Sequence, residues 1–530
     1  MSRSRAHARV KLWLVSDRAF LPLAVVAGLA VTIAAIAWMV ANPLPSYWDE
    51  AIYFVNATHD VQAIHAGGLR GFLITMSAED RVRPPALRLF ALPLTLAFGP
   101  HLLAMRLISF AGFLAAIGFI AAAVQRAAGA RSAAFSALLA LASPMLILST
   151  KVFGTEYPLL VASAALLYFV TMRHHLRWIG IGLALGVGAL AKASFALIGG
   201  PILVTAIVLP LMDRKNDSAS SLPSFTEHAK AMALGATIAL LWWGQNFDPA
   251  LHYASSSRSA LRHSLGPASL ATLYRWAYEF FRCDVGWLSA MAIIIAGLFL
   301  HRWSRNPVVV LALAGAIPQL LASAIGPNHN PRYAAPAVLL LAAAVAVVAE
   351  PLLHKPLLLA ACGGLVLIQI ALVSLPLRTT PSFIWRSATE VNAPVEQWDF
   401  RVVKQLADRI GAPIHPRISV LGVGYAMNPP QVEAAWIRGN SDAPVRTLWG
   451  ADRESFDMRR TLDRALSADI VITAPGFRGD RSDRQPRDNA FNVAFAQVLA
   501  STRLFAGPYT VEVGVNEPAT VAVFVRRPHA

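Results

Sequence analysis

Residues 20–54 read "FLPLAVVAGLAVTIAAIAWMVANPLPSYWDEAIYF", and the first 22 of them carry no charge. At about 1.5 Å of rise per residue, a helix of that length crosses a hydrocarbon core of roughly 30 Å. A cleaved signal would have a shorter apolar core and a small-residue cleavage site. Here the chain continues Asn42-Pro-Leu-Pro-Ser, so a retained first helix is expected. The segment ends on two adjacent acids, Asp49 and Glu50, set among Tyr47, Trp48, Tyr53 and Phe54.

Outward from this stretch, further apolar runs fall at about 101–125, 132–150, 157–172, 179–191, 195–211, 229–244, 285–300, 307–325, 334–349 and 356–376. They predict a polytopic α-helical membrane protein of about 11 spans. A 530-residue chain that is 56% hydrophobic and 14% charged, with mean hydropathy +0.52, agrees with that reading and excludes an ordinary soluble enzyme. The segment 84–99 is too short to cross comfortably and is expected at an interface.

The formal charge of +16 does not point to nucleic acid, because the basic residues are scattered between apolar runs and form no continuous patch. They mark topology instead. The N-terminal basic residues, Arg126 to Arg131, Arg173 to Arg177, Arg214 to Lys230, Arg302 to Arg305 and Lys355 all fall on one side, which the positive-inside rule makes cytoplasmic. An odd number of crossings then places the C-terminal segment outside. The expected organisation is a basic cytoplasmic N-terminus (1–19), a transmembrane module (20–376) with an outer loop at 42–85, and an extracytoplasmic α/β domain (377–530).

That last domain is read from an amphipathic helix at 395–410 and from strands at 417–424, 468–476, "YTVEVGV" and "TVAVFVRR". Its "VLGVG" lacks the G-x-G-x-x-G pattern of a dinucleotide site. Two cysteines, Cys283 and Cys362, exclude a disulfide framework and a cysteine zinc site.

The chemistry-bearing residues gather at the outer ends of the spans. Asp49 and Glu50 begin an outer loop; a carboxylate near hydrocarbon is desolvated, so a raised pKa and a better proton acceptor are expected there. Arg81, Arg83 and Arg88 sit on the side where the positive-inside rule disfavours them, and guanidinium groups suit phosphate oxygens. Glu156, in "KVFGTEYPLL", returns a carboxylate to the same face, although an acid opening a helix is also favoured by the macrodipole. Lys192 lies in apolar sequence between two short runs, where an ionisable group is a functional candidate. Arg332 and Tyr333 cap another span beside His329, a loop histidine of the kind that is usually solvated. Adjacent Asp49 and Glu50 suit a divalent cation, and no His/Asp/Glu spacing demands one.

Five stretches in order carry a family resemblance: "YWDEAIY" (47–53), "RPPALRLFALPLTLAFGPHLLAMRLISF" (83–110), "ASPMLILSTKVFGTEYPLL" (142–160), "GLALGVGALAKASFALIGGP" (182–201) and "RYAAPAVLLLAAAVA" (332–346). Over about residues 19 to 350 the chain resembles the GT-C membrane glycosyltransferases, in the branch of the protein O-mannosyltransferases and the lipid A aminoarabinose transferases. The resemblance implies transfer of a sugar from a polyprenyl-phosphate donor to a lipid, glycan or protein acceptor outside a bacterial inner membrane. It implies Asp49 as general base or acceptor-orienting acid, Glu50 as its support, and Glu156 as the second-loop acid, which in many relatives is Asp. It further implies Arg83, Lys192, Arg332 and Tyr333 at the donor phosphate.

The residues suit that chemistry, since acids and cations together complement a charge-separated displacement. A transporter or lipid-linked sugar flippase is the rival from another class, kept open by Lys192. Against it stand the outer-boundary position of most of these charges and the lack of a visible internal repeat. A non-catalytic scaffold would leave the acids and arginines dispensable.

Overall fold

The computed structural model describes residues 17–78, 80–212, 222–265, 269–297, 306–326, 330–375, 390–421, 427–438, 443–448, 457–475, 485–516 and 518–527. The basic residues before position 17, Arg214, Arg302, Arg305 and His329 lie outside them.

Each apolar run in the sequence is helical where described. In chain order the helices are α1 (Asp17–Ala41), α2 (Trp48–Ala78), α3 (Ala86–Phe98), α4 (Leu102–Ala142), α5 (Pro144–Thr150), α6 (Glu156–Thr171), α7 (Arg177–Ala191), α8 (Ala196–Met212), α9 (Phe225–Leu265), α10 (Leu270–Glu279), α11 (Trp287–Gly297), α12 (Pro307–Ile325), α13 (Ala335–Val348), α14 (Glu350–Leu353) and α15 (Pro356–Ser374). Five helical segments among the described residues are long and apolar enough to cross a membrane: Leu21–Ala41, Leu102–Ala142, Ala193–Met212, Pro307–Ile325 and Leu357–Ser374. The segment expected at 84–99 is the short apolar helix α3.

One sequence boundary is corrected. The runs at 101–125 and 132–150 stay separate helical segments within α4, because Gly129, with φ of +80° and ψ of 177°, breaks the helix between them, and the second run is itself divided at Ser143. There the Ser143 hydroxyl accepts from the Leu146 amide and Pro144 opens α5. The segment read as a loop at 42–85 is largely helical, and the apolar run at 229–244 continues as helix to Leu265, because α2 and the far half of α9 are polar helices that an apolar-run reading passes over.

Packing follows from small residues. In "GIGLALGVG", a Cβ on Gly182 would lie 2.8 Å from Leu234 Cδ2, and one on Gly186 would lie 2.7 Å from Ile238 Cβ. Only glycine lets α7 approach α9 so closely, as in small-xxx-small membrane packing.

Beyond residue 390 the chain forms α16 (Arg401–Arg409), β1 (Ile418–Leu421), α17 (Pro429–Arg438), β2 (Val445–Thr447), α18 (Met458–Ala465), β3 (Ile470–Thr473), α19 (Gln485–Ser501), β4 (Phe505–Glu512) and β5 (Thr520–Arg526). The sheet order is β2-β1-β3-β5-β4, parallel across the first three strands and antiparallel through β5 and β4. β1 and β3 are buried throughout, as expected of strands covered on both faces. Alternation sends Ile470 and Ile472 to one core with Phe400 and Trp436, and Val471 to the other with Phe495 and Leu499.

This domain is joined to the helical module by hydrogen bonds. Trp38 Nε1 donates to the Ala393 carbonyl at 2.9 Å, and the Val395 amide donates to Asn42 Oδ1 at 3.3 Å. Lys151, fully buried, donates to the Val391 carbonyl and to Asn392 Oδ1, with its Nζ 3.9 Å from the Trp38 ring centroid. Ala434 and Ile437 of α17 share an apolar cluster with Tyr53 and Phe54 of α2.

Candidate active site

A strap, Asn42-Pro-Leu-Pro-Ser, links α1 to α2 and carries Asp49 into place. Pro43 and Pro45 have no N–H to satisfy, and side chains donate to the carbonyls. Arg106 of α4 donates to the Asn42 carbonyl and, at 2.9 Å, to the Leu44 carbonyl. Arg438 reaches the Pro43 carbonyl at 3.1 Å, Gln397 the Leu44 carbonyl at 2.7 Å, and Gln431 the Pro45 carbonyl at 3.3 Å.

Glu50 closes the same network and does not share a site with Asp49. It is fully buried, and Arg106 grips it with Nε to Oε1 and Nη2 to Oε2, both at 2.7 Å. The Ser46 amide donates to Oε2 at 2.7 Å and the Phe153 amide to Oε1 at 2.9 Å. With both oxygens taken in this way, the two neighbouring carboxylates do not converge on a common ion. Among the described residues no group of three or more His, Cys, Asp and Glu side chains gathers for a metal.

Asp49 faces instead toward the 3₁₀ turn Pro331–Ala334, where Arg332 Nη2 donates to Asp49 Oδ2 at 2.5 Å. Arg332 Nε lies 3.7 Å from Glu156 Oε1, and Lys192 Nζ lies 3.3 Å from the same oxygen. Lys192 also sits 4.3 Å from the Tyr333 ring centroid. Four chain segments thus meet: the α2 start, the α6 start, the α7–α8 turn and the 331–334 turn.

Glu156 is buried, and the preceding Gly154 makes room for it. A Cβ at Gly154 would fall 2.8 Å from Glu156 Oε2 and 3.0 Å from the Tyr47 hydroxyl. A cleft with about 330 Å³ of empty volume opens here, lined by Tyr47, Leu148, Ser149, Glu156, Asn330 and Arg332 among others.

Arg83 approaches from the α2–α3 connection. Its Nη1 pairs with Asp80 Oδ2 at 3.1 Å, while the Asp80 side chain also accepts from Asn56 at 3.0 Å. Arg81 turns to Asn246 at 3.4 Å. Arg88 leaves the candidate set, because it forms a buried two-pronged pair with Asp60, Nε to Oδ2 at 2.7 Å and Nη2 to Oδ1.

The electrostatics of Asp49 reverse the sequence expectation of a raised pKa. Burial does push its pKa up, but Arg332 first, then Arg83 and Lys192, more than offset that and hold it below the ordinary aspartate value. The carboxylate is therefore ionised in this arrangement.

Sequence reading assigned no role to Arg106 or to Tyr47. An arginine four residues into the apolar run "LLAMRLISF" is the signal that finds the first, since intramembrane charges need partners. Nothing in the sequence distinguishes Tyr47 from an interfacial aromatic.

Comparison with known proteins bears on this constellation. The family model of dolichyl-phosphate-mannose-protein mannosyltransferases matches residues 82–243, which include Arg83, Glu156 and Lys192. ArnT from Cupriavidus metallidurans bound to undecaprenyl phosphate superposes with TM-score 0.57 over 93% of this chain and 97% of that one, at 17% identity. The same protein in the apo state gives 0.57 over 94% and 97%, at 15% identity. The oligosaccharyltransferase of Archaeoglobus fulgidus, in complex with Zn and sulfate, gives 0.52 over 92% and 73%, at 13% identity. No curated protein matches the chain by sequence. The chain resembles GT-C glycosyltransferases in sequence across 82–243 and in fold across almost its whole length.

Proposed function

We propose that the protein is an integral-membrane glycosyltransferase that moves a sugar from a polyprenyl-phosphate donor to an acceptor on the extracytoplasmic face. The observation that carries this reading is the ion-paired meeting of Asp49 and Glu156 with Arg332 and Lys192, with Arg83 near enough to stabilise the Asp49 carboxylate, beside a cleft that Glu156 and Arg332 line. The undecaprenyl phosphate bound to the Cupriavidus ArnT supports a lipid-phosphate donor. The orientation follows the positive-inside reading: about eleven crossings of a bacterial inner membrane, with the cleft and the C-terminal domain on the periplasmic side.

In this mechanism Arg83, Lys192 and Arg332, with the Tyr333 hydroxyl, receive the donor phosphate. An acceptor hydroxyl attacks the anomeric carbon as the bond from that carbon to the phosphate oxygen breaks. The phosphate leaves with the electron pair, and its charge is met by fixed cations. The hydroxyl proton passes to Asp49. A single displacement of this kind inverts the anomeric centre.

Glu156 orients Lys192 and Arg332 rather than touching the reacting carbon, and Glu50 holds the strap that aims Asp49. Before donor binds, Arg332 occupies Asp49 and keeps it a weak base. Donor phosphate, by drawing Arg332 toward itself, makes Asp49 more basic at the moment a proton must be accepted.

The test is purified protein in nanodiscs with radiolabelled polyprenyl-phosphate sugars and a membrane-extract acceptor pool. The expected result is labelled product together with free polyprenyl phosphate. Movement of sugar-lipid across vesicles with no transfer from any donor would replace this reading with a flippase. For the clamp, Arg83→Ala is expected to weaken donor binding at least tenfold, and unchanged donor affinity would contradict it.

A further inference from the structure

A second cleft lies apart from the Asp49 cluster, where the C-terminal domain meets the strap. It has about 280 Å³ of empty volume and is lined by Leu44 and Pro45 of the strap, by Trp398 and Arg401, and by Gln431 and Arg438 of α17.

Its polar groups are incompletely used. Arg438 spends Nη2 on the Pro43 carbonyl, while its Nη1 is shielded from water and has no hydrogen-bond partner among the described residues. Gln431 spends Nε2 on the Pro45 carbonyl, and its Oε1 is likewise shielded and without a partner there. One cleft therefore presents a spare cationic donor and a spare neutral acceptor. Buried polar groups are ordinarily satisfied, so each such exception calls for an explanation.

The charge balance also favours an anion. Asp399 is the acid lining the cleft, and Arg401 already grips it with Nε to Oδ1 at 2.8 Å and Nη2 to Oδ2 at 2.6 Å. Burial, with Arg401 and Arg106 adding to it and Asp399 opposing, pulls the Arg438 pKa below the ordinary arginine value. Arg438 is thus a cation short of compensation. The Arg401 side chain is half exposed.

We propose that this cleft binds a hydroxylated anion, a sugar acid or a sugar phosphate, with the carboxylate or phosphate on Arg438 and a neighbouring hydroxyl donating to Gln431. The bound group would touch Leu44 and Pro45, four or five residues before Asp49, and would brace the strap.

The test uses the full-length protein in zwitterionic nanodiscs, titrated calorimetrically with glucuronate, glucose 6-phosphate and, as the neutral control, glucose. Saturable binding of at least one anionic probe is expected, with glucose at least tenfold weaker. Arg438→Gln is expected to weaken the anion at least tenfold. Asp399→Asn releases the Arg401 fork and is expected to tighten it several-fold, a gain that mere loss of structure does not produce. Arg438 also holds the Pro43 carbonyl of the strap, so Asp399→Asn, which releases the Arg401 fork alone, is the variant that separates this cleft from the Asp49 cluster: an anion held there would not respond to it. The proposal is overturned if neither anion saturates, if glucose binds equally well, or if Arg438→Gln leaves affinity unchanged. Should Arg438→Gln fail to fold, unchanged or weaker binding in Asp399→Asn overturns it.

Discussion

Asp49 carries two opposing influences, and their balance sets a pH dependence. Its folded pKa is depressed, so the ionised form persists as pH falls through the ordinary carboxylate range and is lost only as pH falls through the lowered value. The acid limb of kcat/KM, which reports the free enzyme, is therefore expected below the ordinary aspartate range. The limb of kcat, which reports the donor complex, is expected higher, because donor phosphate competes for Arg332. In Arg332→Gln the main stabilising cation is gone while burial remains, so the kcat/KM limb should move upward; pH–rate profiles of the two proteins decide this. At this scale Asp49, Glu156, Lys192 and Arg332 were all legible as charges at span ends. Which charge meets which was not, since the four lie up to 283 residues apart and only the fold brings them together.

The strap and the helices that hold it form the next level. Removing one side of a buried, hydrogen-bonded pair leaves an uncompensated charge and typically costs about 3–5 kcal/mol. Glu50→Gln and Arg106→Met are expected to lower stability by that order, read as a fall in the midpoint of denaturant or thermal unfolding in detergent. The double substitution Glu50→Met with Arg106→Met should not restore stability fully, because the Asn42 and Leu44 carbonyls still lose their donor. Helix packing makes a separate prediction. Gly186→Leu forces a side chain into Ile238 and is expected to cost at least about 1–3 kcal/mol, whereas Gly200→Ala meets nothing within 4 Å and should be neutral or slightly stabilising. Helix positions were readable because apolar runs register burial in lipid or protein. The polar helices α2 and α10 and the far half of α9 were not, because their sequences lack that signal.

Across the whole molecule, the C-terminal domain grips the end of the helical module that carries the strap and Asp49. Lys151 is central to that grip, since it ties α5 to residues 391 and 392 across a buried boundary. Lys151→Met is expected to reduce both unfolding temperature and transfer rate, although Lys151 lines no part of the cleft. The α/β character of the domain was visible in its apolar strand segments. Its strand order was not, because pairing β3 with β5 depends on contacts across some 50 residues that no local pattern encodes. The proposed reaction depends on a single carboxylate acting on a lipid-borne sugar, and donor affinity measured beside the transfer rate in Asp49→Asn tests it most directly. A transfer rate at least about a hundredfold lower is expected, as loss of a general base entails, with donor affinity within a few-fold of the unsubstituted protein. An unchanged transfer rate in that variant would contradict it.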